Sequence, residues 1–228
     1  MAEQLVLDLA RVEPPTFRNF VAGPNREAVA ALGRLADRSL PETGILLWGA
    51  EGVGKTHLLH GIVAAAGPHR PAFFCATPAD VPTEPDRLPA GALVAIDDVD
   101  GASADDQARM FTLCNALAAH GGQWVAGAHL PPARMALRDD LRTRLALGLV
   151  FEVLPLSDAD KPQALATYAR ERGFRLGDDV IGYLLAHGRR DMRSLVATLA
   201  ALDRHSLATR RVVTVALLRD WLQRDLRL

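Results

Sequence analysis

Apolar and polar positions follow two different patterns in the first two thirds of the chain. Short apolar runs with the length of buried strands occur at residues 44–48, 72–75, 92–96, 123–127 and 148–153. Segments with apolar residues at helical spacing occur at residues 26–38, 56–65, 104–120 and 138–145. Strands that alternate with helices in this way predict an α/β fold, with a mostly parallel sheet covered by helices on both faces.

The rhythm changes after Leu154-Pro155, where the pattern becomes purely helical. Four helices are predicted at residues 158–172, 178–187, 191–206 and 214–226, and Gly173, Gly177 and Gly188 separate them. Ser157 and Asp160 resemble a capping box in front of the first of these helices. We therefore expect a larger α/β domain over residues 16–154 and a small all-helical lid over residues 155–228.

The first 15 residues are predicted to form an extended arm, because the chain cannot continue a helix through Pro14 and Pro15. Within the arm, residues 4–9 alternate between polar and apolar positions. Such a segment either fills a groove on a partner or adds a strand to the sheet of the protein itself. Periodicity alone does not separate these two interpretations.

The octapeptide at residues 49–56 fits the Walker A pattern at every specified position, between a predicted strand and a predicted helix. Glycines at 49, 52 and 54 let the backbone turn its N–H groups toward a polyphosphate. Lys55 suits the outer phosphates and the Thr56 hydroxyl suits Mg²⁺. Lysine occurs at only one other position, Lys161, so a chance match is improbable. The loop predicts that the protein binds ATP or ADP with Mg²⁺.

A second acidic element follows the apolar run at residues 92–96, which ends in Asp97 and Asp98. Alone, this pattern is common at the end of a strand. Beside a Walker A loop it reads as Walker B, because both elements end at the edge of a parallel sheet where ligands bind. Asp97 is then expected to hold Mg²⁺ through water, and Asp98 to orient or deprotonate the attacking water.

Overall composition limits the possible partners and location of the protein but does not indicate a functional site. The net charge is −1, so no overall electrostatic attraction to DNA or to an anionic membrane is expected. Two arginine clusters, residues 189–193 and 210–211, are local candidates, although such runs are usually solvated helix faces. Cys75 and Cys114 lie in apolar segments without metal-site spacing, which is typical of buried thiols. No signal peptide or membrane-spanning run is apparent, and we expect a cytoplasmic protein.

Taken together, these elements resemble the AAA+ ATPases, and in detail the bacterial replication initiator family DnaA. Residues 16–26 are similar to the segment that opens the DnaA ATPase domain, which lies against adenine and ribose in that family. Residues 191–195 are similar to the motif of the sensor 2 arginine, so Arg193 is implied to touch the phosphates. The nucleotide contacts implied by the motifs and the resemblance are Gly49, Gly52, Val53, Gly54, Lys55, Thr56, His57, Val21, Asn25 and Arg193.

The chain ends at Leu228, directly after the predicted lid, where DnaA continues into a DNA-binding helix-turn-helix domain. A short DnaA-like ATPase with a Gln-Leu-x-Leu-x-Leu arm resembles the Hda family, the regulators that inactivate DnaA. Residues 140–145 and 154–161 are also similar to that family. The resemblance implies that Arg144 is an arginine finger acting in trans. It also implies a sliding-clamp-binding motif whose residues are Gln4, Leu5, Leu7 and Leu9.

The sequence departs from the family after the fourth predicted strand, where relatives carry a polar sensor 1 residue. Here the chain reads Ala126-Gly127-Ala128-His129, so either His129 substitutes or the position is lost. We therefore expect weak intrinsic hydrolysis, with bound nucleotide, ADP above all, fixing the shape of the protein.

The expected function is negative regulation of replication initiation: bound to the β subunit of the sliding clamp, the protein stimulates ATP hydrolysis by DnaA. The oligomeric state stays open, a homodimer included, and neither membrane contact nor strong direct DNA binding is expected. Two alternatives remain at this point. One is an ATP-driven helicase-loader or clamp-loader type ATPase, and the other is a passive adaptor between clamp and initiator.

Overall fold

A computed structural model describes residues 14–189, 191–209 and 212–225. The chain divides into two compact units, with Pro15–Pro155 in one and the residues from Leu156 onward in the other. The predicted clamp-binding residues of the arm, residues 4–9, lie outside the described residues. The same holds for residues 190, 210 and 211 of the two arginine clusters.

The first unit is built on a five-stranded sheet in which every pairing is parallel. Its strands are β1 (Gly44–Trp48), β2 (Ala72–Cys75), β3 (Leu93–Ile96), β4 (Gln123–Ala128) and β5 (Leu149–Glu152). They lie in the order β2-β3-β4-β1-β5. The three central strands are buried on both faces, and for this reason they are continuous apolar runs rather than alternating ones.

Helices cover both faces of this sheet. They are α1 (Arg26–Ala36), α2 (Lys55–Ala66), α3 (Ala104–Ala119) and α4 (Asp139–Ala146). Successive strand residues point to opposite faces, so Ile45 and Leu47 pack with α1 and α2, whereas Leu46 packs with α3 and α4. This arrangement brings the ends of β1, β3 and β4, and the loops that follow them, to one edge of the sheet.

The second unit is all-helical, with α5 (Lys161–Glu171), α6 (Asp178–His187), α7 (Met192–Thr209) and α8 (Val215–Asp225). Its core is formed by fully buried leucines, among them Leu165, Leu199 and Leu218. An ion pair lies within it: Arg172 Nε donates to Asp203 Oδ2 at 3.1 Å, and the two side chains are 7% and 5% exposed. No described helix is long and apolar enough to cross a bilayer.

The first helix of this unit begins three residues later than the sequence pattern predicts, at Lys161 instead of residue 158. The predicted capping pair is present, since Ser157 Oγ donates to Asp160 Oδ2 at 2.6 Å and Asp160 N donates to Ser157 Oγ at 3.2 Å. It closes a separate turn, because Pro162 has no N–H to donate to the carbonyl of Asp158. Regular α-helix therefore starts only after that turn.

Candidate nucleotide-binding site

The Walker A loop joins β1 to α2 with a backbone that needs glycine. Gly52 and Gly54 have φ values of 77° and 106°, in the left-handed region that other residues rarely adopt. A Cβ at Gly54 would also lie 2.8 Å from the ring of Phe20. The loop therefore curves tightly into the first turn of α2, where backbone N–H groups and the helix dipole favour an anion.

Lys55 lies at the start of α2 and is only 6% exposed. Its Nζ donates to the carbonyls of Gly49 and Ala50, both at 2.9 Å, so the ammonium sits inside the curve of the loop. Burial lowers the pKa of Lys55, and the negative charge of Asp97 opposes that shift. The lysine is thus held as a compact positive charge at the place where the Walker A pattern requires one.

The two predicted metal-site residues meet although they are 41 positions apart. Thr56 Oγ1 donates to Asp97 Oδ2 at 2.5 Å, and Asp98 N donates to Asp97 Oδ1 at 3.0 Å. The carboxylate is 5% exposed, and it fits here because Gly127 on β4 has no Cβ to occupy the space of Asp97 Oδ1. A hydroxyl and a carboxylate are the oxygen ligands that Mg²⁺ prefers.

Among the described residues, no group of three or more His, Cys, Asp and Glu side chains is arranged to hold a metal ion. Mg²⁺ is commonly bound by only one or two protein oxygens together with phosphate oxygens and water. Thr56 and Asp97 would be the residues that hold such an ion.

Asp98 and His129 lie at neighbouring strand ends. Asp98 adopts a left-handed backbone conformation with φ 52°, and its side chain is 56% exposed. His129 Nδ1 lies 3.7 Å from Asp98 Oδ1 and 3.5 Å from Asp100 Oδ1. His129 N also donates to Asp100 Oδ2 at 3.0 Å. The residue that follows β4 thus lies beside the acids that follow β3. Asp100 was missed in the sequence, although only Val99 separates it from Asp97 and Asp98.

A short 3-10 turn, Phe17–Asn19, packs against α2. His57 Nε2 lies 3.0 Å from both Thr16 O and Asn19 Oδ1, and the rings of His57 and Phe20 are 5.3 Å apart between centroids. Burial lowers the pKa of His57 and so favours the neutral ring. His57 therefore ties the segment before α1 to the helix that follows the Walker A loop. Its predicted role as a nucleotide contact stays a prediction.

The other residues predicted to contact the nucleotide differ in their surroundings. Val21 is half-buried, and Val53 is a half-buried side chain packed on the core beneath α1 and α2. Asn25 is 4% exposed. Its Nδ2 donates to Leu154 O at 2.9 Å, and its Oδ1 accepts from Leu154 N at 2.8 Å. The amide group of Asn25 is thus engaged with the backbone at the end of the first unit.

Arg144 lies on α4 and interacts with α3. Its Nη2 donates to Asn115 Oδ1 at 2.6 Å, and its guanidinium carbon lies 6.0 Å from the centroid of the Phe111 ring. The side chain borders an open cavity of about 370 Å³ lined by Phe111, Asp139, Asp140, Thr143, Arg144 and Leu147. Leu147 is 68% exposed. Asn115 and Phe111 were not found from the sequence, because they look like ordinary helix residues there.

Arg193 belongs to the second unit, where it is exposed on the first turn of α7. The start of this helix is capped by Asp191, whose Oδ1 accepts from Ser194 N at 2.8 Å. This hydrogen bond lowers the pKa of Asp191. Leu195 of the same motif is buried in the core of the unit. The predicted sensor 2 motif therefore begins a helix, and its leucine anchors that helix.

Two family models match the chain at separate places: the bacterial DnaA ATPase domain over residues 13–73 and the Hda lid domain over residues 158–222. Domain III of the Thermotoga maritima replication initiation protein DnaA superposes with a TM-score of 0.82. It is 21% identical, and the match covers 93% of this chain and 97% of that chain. The chain is an AAA+ protein of the Hda/DnaA type.

Other solved structures share the fold of this Hda/DnaA-type protein. AMPPCP-bound DnaA from Aquifex aeolicus is 21% identical, with a TM-score of 0.70 over 85% of this chain and 66% of that chain. The Thermotoga maritima RuvB Holliday junction branch migration motor is 15% identical, with a TM-score of 0.72 over 93% of this chain and 72% of that chain. The predicted AAA+ fold with a C-terminal helical lid is thereby confirmed.

Proposed function

We propose that this protein is a nucleotide-bound regulator of replication initiation, which stimulates ATP hydrolysis by DnaA through Arg144 in trans. The observation that carries the proposal is the combination of a DnaA-type ATPase domain with an Hda-type lid in one chain. The predicted nucleotide site and arginine finger give this combination a mechanism, whose steps follow.

The first step is the binding of ADP or ATP. Lys55, Thr56 and Asp97 have the positions and chemistry that a Mg²⁺-bound polyphosphate requires. The carbonyls that Lys55 contacts are neutral, so the ammonium exchanges them for phosphate oxygens with a gain in charge interaction. Mg²⁺ supplies neutralisation of the phosphate charge when it is bound. The AMPPCP-bound DnaA of Aquifex aeolicus, which shares the fold, supports this assignment.

The second step is that the protein keeps its nucleotide rather than turning it over rapidly. Asp98 is the residue proposed to orient water, and its carboxylate shares its surroundings with His129. Where the family carries a polar sensor 1 residue, this chain reads Ala126-Gly127-Ala128-His129, so hydrolysis of the protein's own nucleotide is proposed to be slow. In this view bound ADP maintains the active shape.

The third step is the action of Arg144 on the ATP of DnaA. Asn115 holds the guanidinium through a neutral amide oxygen rather than a carboxylate. Since such a bond is weaker than a charge-assisted one, the arginine can leave it for the transferring phosphoryl group of a partner. An arginine finger supplied in trans raises the rate of hydrolysis by roughly 10³- to 10⁵-fold. The cavity and exposed Leu147 beside Arg144 offer a surface on which that partner can pack.

The fourth step is tethering to the sliding clamp through Gln4, Leu5, Leu7 and Leu9. An extended segment with alternating apolar side chains suits a groove that binds a strand-like peptide. Clamp binding would bring the protein to replicated DNA in the nucleoid and raise its concentration near DnaA. This step rests on the sequence, since the described residues begin at Pro14.

The proposal is tested by measuring phosphate release from ATP-bound DnaA in the presence of clamp-loaded DNA. Wild-type protein is expected to stimulate release, and a Gln4→Ala, Leu7→Ala variant is expected to lose that stimulation. If the wild type has no effect on release, the regulatory proposal is wrong. If both proteins stimulate equally, the arm is not the tether.

One observation favours a second candidate function, a loader-type ATPase that works by its own turnover. The Walker A lysine and both Walker B acids are present and lie together. That candidate predicts strong intrinsic hydrolysis, dependent on Lys55 and Asp98, in the absence of DnaA. A passive adaptor, in contrast, would bind clamp and DnaA, would have no strong hydrolysis of its own, and would leave the rate of ATP hydrolysis by DnaA unchanged.

A further inference from the structure

The Asn25 side chain makes a two-point contact with the backbone that leads into the lid. It lies at the end of the 3-10 turn Gly23–Asn25, directly before α1. Its amide donates to Leu154 O at 2.9 Å and accepts from Leu154 N at 2.8 Å, across 129 positions of sequence. Leu154 is followed by Pro155, the last residue of the first unit. Asn25 therefore forms two hydrogen bonds with the backbone of the residue that precedes the last residue of the first unit.

This contact depends on the chemistry of asparagine. A primary amide is one of the few side-chain groups that donates and accepts at once, so it pairs with the N–H and C=O of one residue as a neighbouring strand would. An aspartate of the same shape would accept from Leu154 N but would face Leu154 O without a proton. Because Asn25 is 4% exposed, water cannot easily replace a lost bond.

The same stretch of backbone also contacts the Walker A loop. Val153 N donates to Trp48 O at 2.7 Å, which extends the pairing of β5 with β1. Val153 O lies so close to Gly49 that a Cβ there would be 2.5 Å away. Gly49 O in turn accepts from Lys55. The residues that follow β5 therefore lie against the beginning of the Walker A loop, and Asn25 holds them through its hydrogen bonds to Leu154.

The segment that precedes Asn25 contacts the other end of the same loop. Phe20 packs against Gly54 and the ring of His57, and Thr16 O lies 3.0 Å from His57 Nε2. This segment therefore connects the Walker A loop to Asn25 along the chain, and Asn25 connects it to Leu154 through two hydrogen bonds.

We infer that Asn25 is a positioning residue that couples the nucleotide site to the backbone leading into the lid, acting through Leu154 and not by touching the nucleotide. The inference rests on the nucleotide binding proposed above and adds to it a route for the coupling. It also gives Asn25 a role different from the base contact that the sequence resemblance implies. Both hydrogen-bonding ends of its amide are already used.

The test compares release of fluorescent mant-ADP from full-length wild-type protein, Asn25→Ala and Asn25→Asp in a stopped-flow experiment. Gln123→Ala is the control, because Gln123 is also a buried amide: its Nε2 donates to Leu40 O at 2.9 Å and Glu42 O at 2.7 Å, and its Oε1 accepts from Arg70 Nη1 at 2.8 Å. It begins β4 and so lies at the opposite edge of the sheet. We expect both Asn25 variants to release mant-ADP about tenfold faster than the control, as the loss of one buried hydrogen bond predicts.

A purely structural role for Asn25 gives a different result. Asn25→Ala and Gln123→Ala would then both lower the melting temperature, Gln123→Ala by more because it also removes a partner of the buried Arg70. Release of mant-ADP would be equal, and this outcome overturns the inference. If wild-type protein fails to bind mant-ADP at all, the proposed function falls together with the inference. Binding by the wild type with equal release from all variants removes the inference alone.

A second measurement begins with the wild-type protein, where it does not depend on the folding of a variant. Hydrogen exchange of the Leu154 amide and of residues 156–161 is followed in wild-type protein with and without ADP. We expect ADP to slow exchange in this stretch, and we expect Asn25→Asp to lose that effect while it still binds ADP. Exchange that ADP leaves unchanged in the wild type overturns the coupling.

Discussion

The Thr56 hydroxyl donates to Asp97 Oδ2 at 2.5 Å, which joins the Walker A helix to the end of the Walker B strand. This bond forms because β1 and β3 are parallel strands of one sheet, separated only by β4, and therefore end at the same edge. The pair defines where a nucleotide-bound Mg²⁺ would sit. Single substitutions around this pair therefore have distinct expected consequences.

Replacing Lys55 with alanine is expected to weaken ADP binding by roughly 30-fold or more, since a buried charge that pairs with phosphate is lost. Folding should survive, because the ammonium is 6% exposed and its desolvation cost disappears with it. Isothermal titration with ADP and Mg²⁺ measures the affinity. Lys161→Ala is the control, since the other lysine pairs with Asp158 at 2.7 Å in the lid. Equal loss in both variants would contradict the assignment.

Replacing Asp98 with asparagine separates the regulator from the loader-type ATPase. In the regulator, chemistry occurs on the ATP of DnaA, so this variant should stimulate DnaA hydrolysis as well as the wild type does. Its own slow hydrolysis should fall by roughly 100-fold, the usual effect of losing a general base. Phosphate release is measured with and without DnaA. Strong hydrolysis by the wild type without DnaA, abolished in Asp98→Asn, would support the loader.

The stability of the protein is expected to fall as pH drops below about 6.5, because of His57. Burial lowers the pKa of His57 from its ordinary value of 6.5, so the unfolded chain binds the proton more readily than the folded one. Stability then rises with pH through the interval below 6.5 and levels off above it, with a slope of at most about 1.4 kcal/mol per pH unit.

Urea unfolding at pH 7.5, 6.5 and 5.5 measures this slope. His57→Gln should flatten it, since glutamine does not titrate and its amide can still donate to Thr16 O. His69→Gln is the control, because His69 is an exposed histidine outside this contact. A slope that His57→Gln does not alter would show that other groups set the pH dependence.

In the lid, Asp203→Ala is expected to destabilise the helical unit by about 3–5 kcal/mol, because it leaves Arg172 as a buried charge without its carboxylate partner. Adding Arg172→Met should recover most of the loss, since an apolar side chain of similar length removes the charge. Hydrogen exchange in α7 reports the local stability. If the double variant is no more stable than Asp203→Ala, the ion pair is not the cause.

The Walker A and Walker B residues and the sheet were accessible from the sequence, because strands buried on both faces are continuous apolar runs and parallel strands end together. Contacts between side chains of ordinary type were not. Asn115 is one polar residue in an amphipathic helix, and nothing in the pattern indicates that it binds Arg144. The bond between Asn25 and Leu154 is likewise set by tertiary packing, because no local periodicity reaches across 129 positions.

The start of the lid shows that helix boundaries are also difficult to predict from the sequence pattern. The Ser157 and Asp160 pair was correctly interpreted as a cap, yet regular helix begins only at Lys161. A capping pair identifies a turn, and Pro162 then decides where the continuous hydrogen bonding starts. Boundaries of this kind depend on which individual N–H groups are present, which hydrophobic periodicity does not report.

The most direct test of the account is single-turnover hydrolysis of DnaA-bound ATP with clamp-loaded DNA, using Arg144→Ala and Arg142→Ala. Both arginines lie on α4, but Arg142 pairs with Asp139 at 2.6 Å whereas Arg144 is held by Asn115. If Arg144 acts in trans, Arg144→Ala lowers the stimulated rate of hydrolysis of DnaA-bound ATP by roughly 10³-fold or more, and Arg142→Ala leaves that rate unchanged. Full stimulation by Arg144→Ala would contradict the central claim.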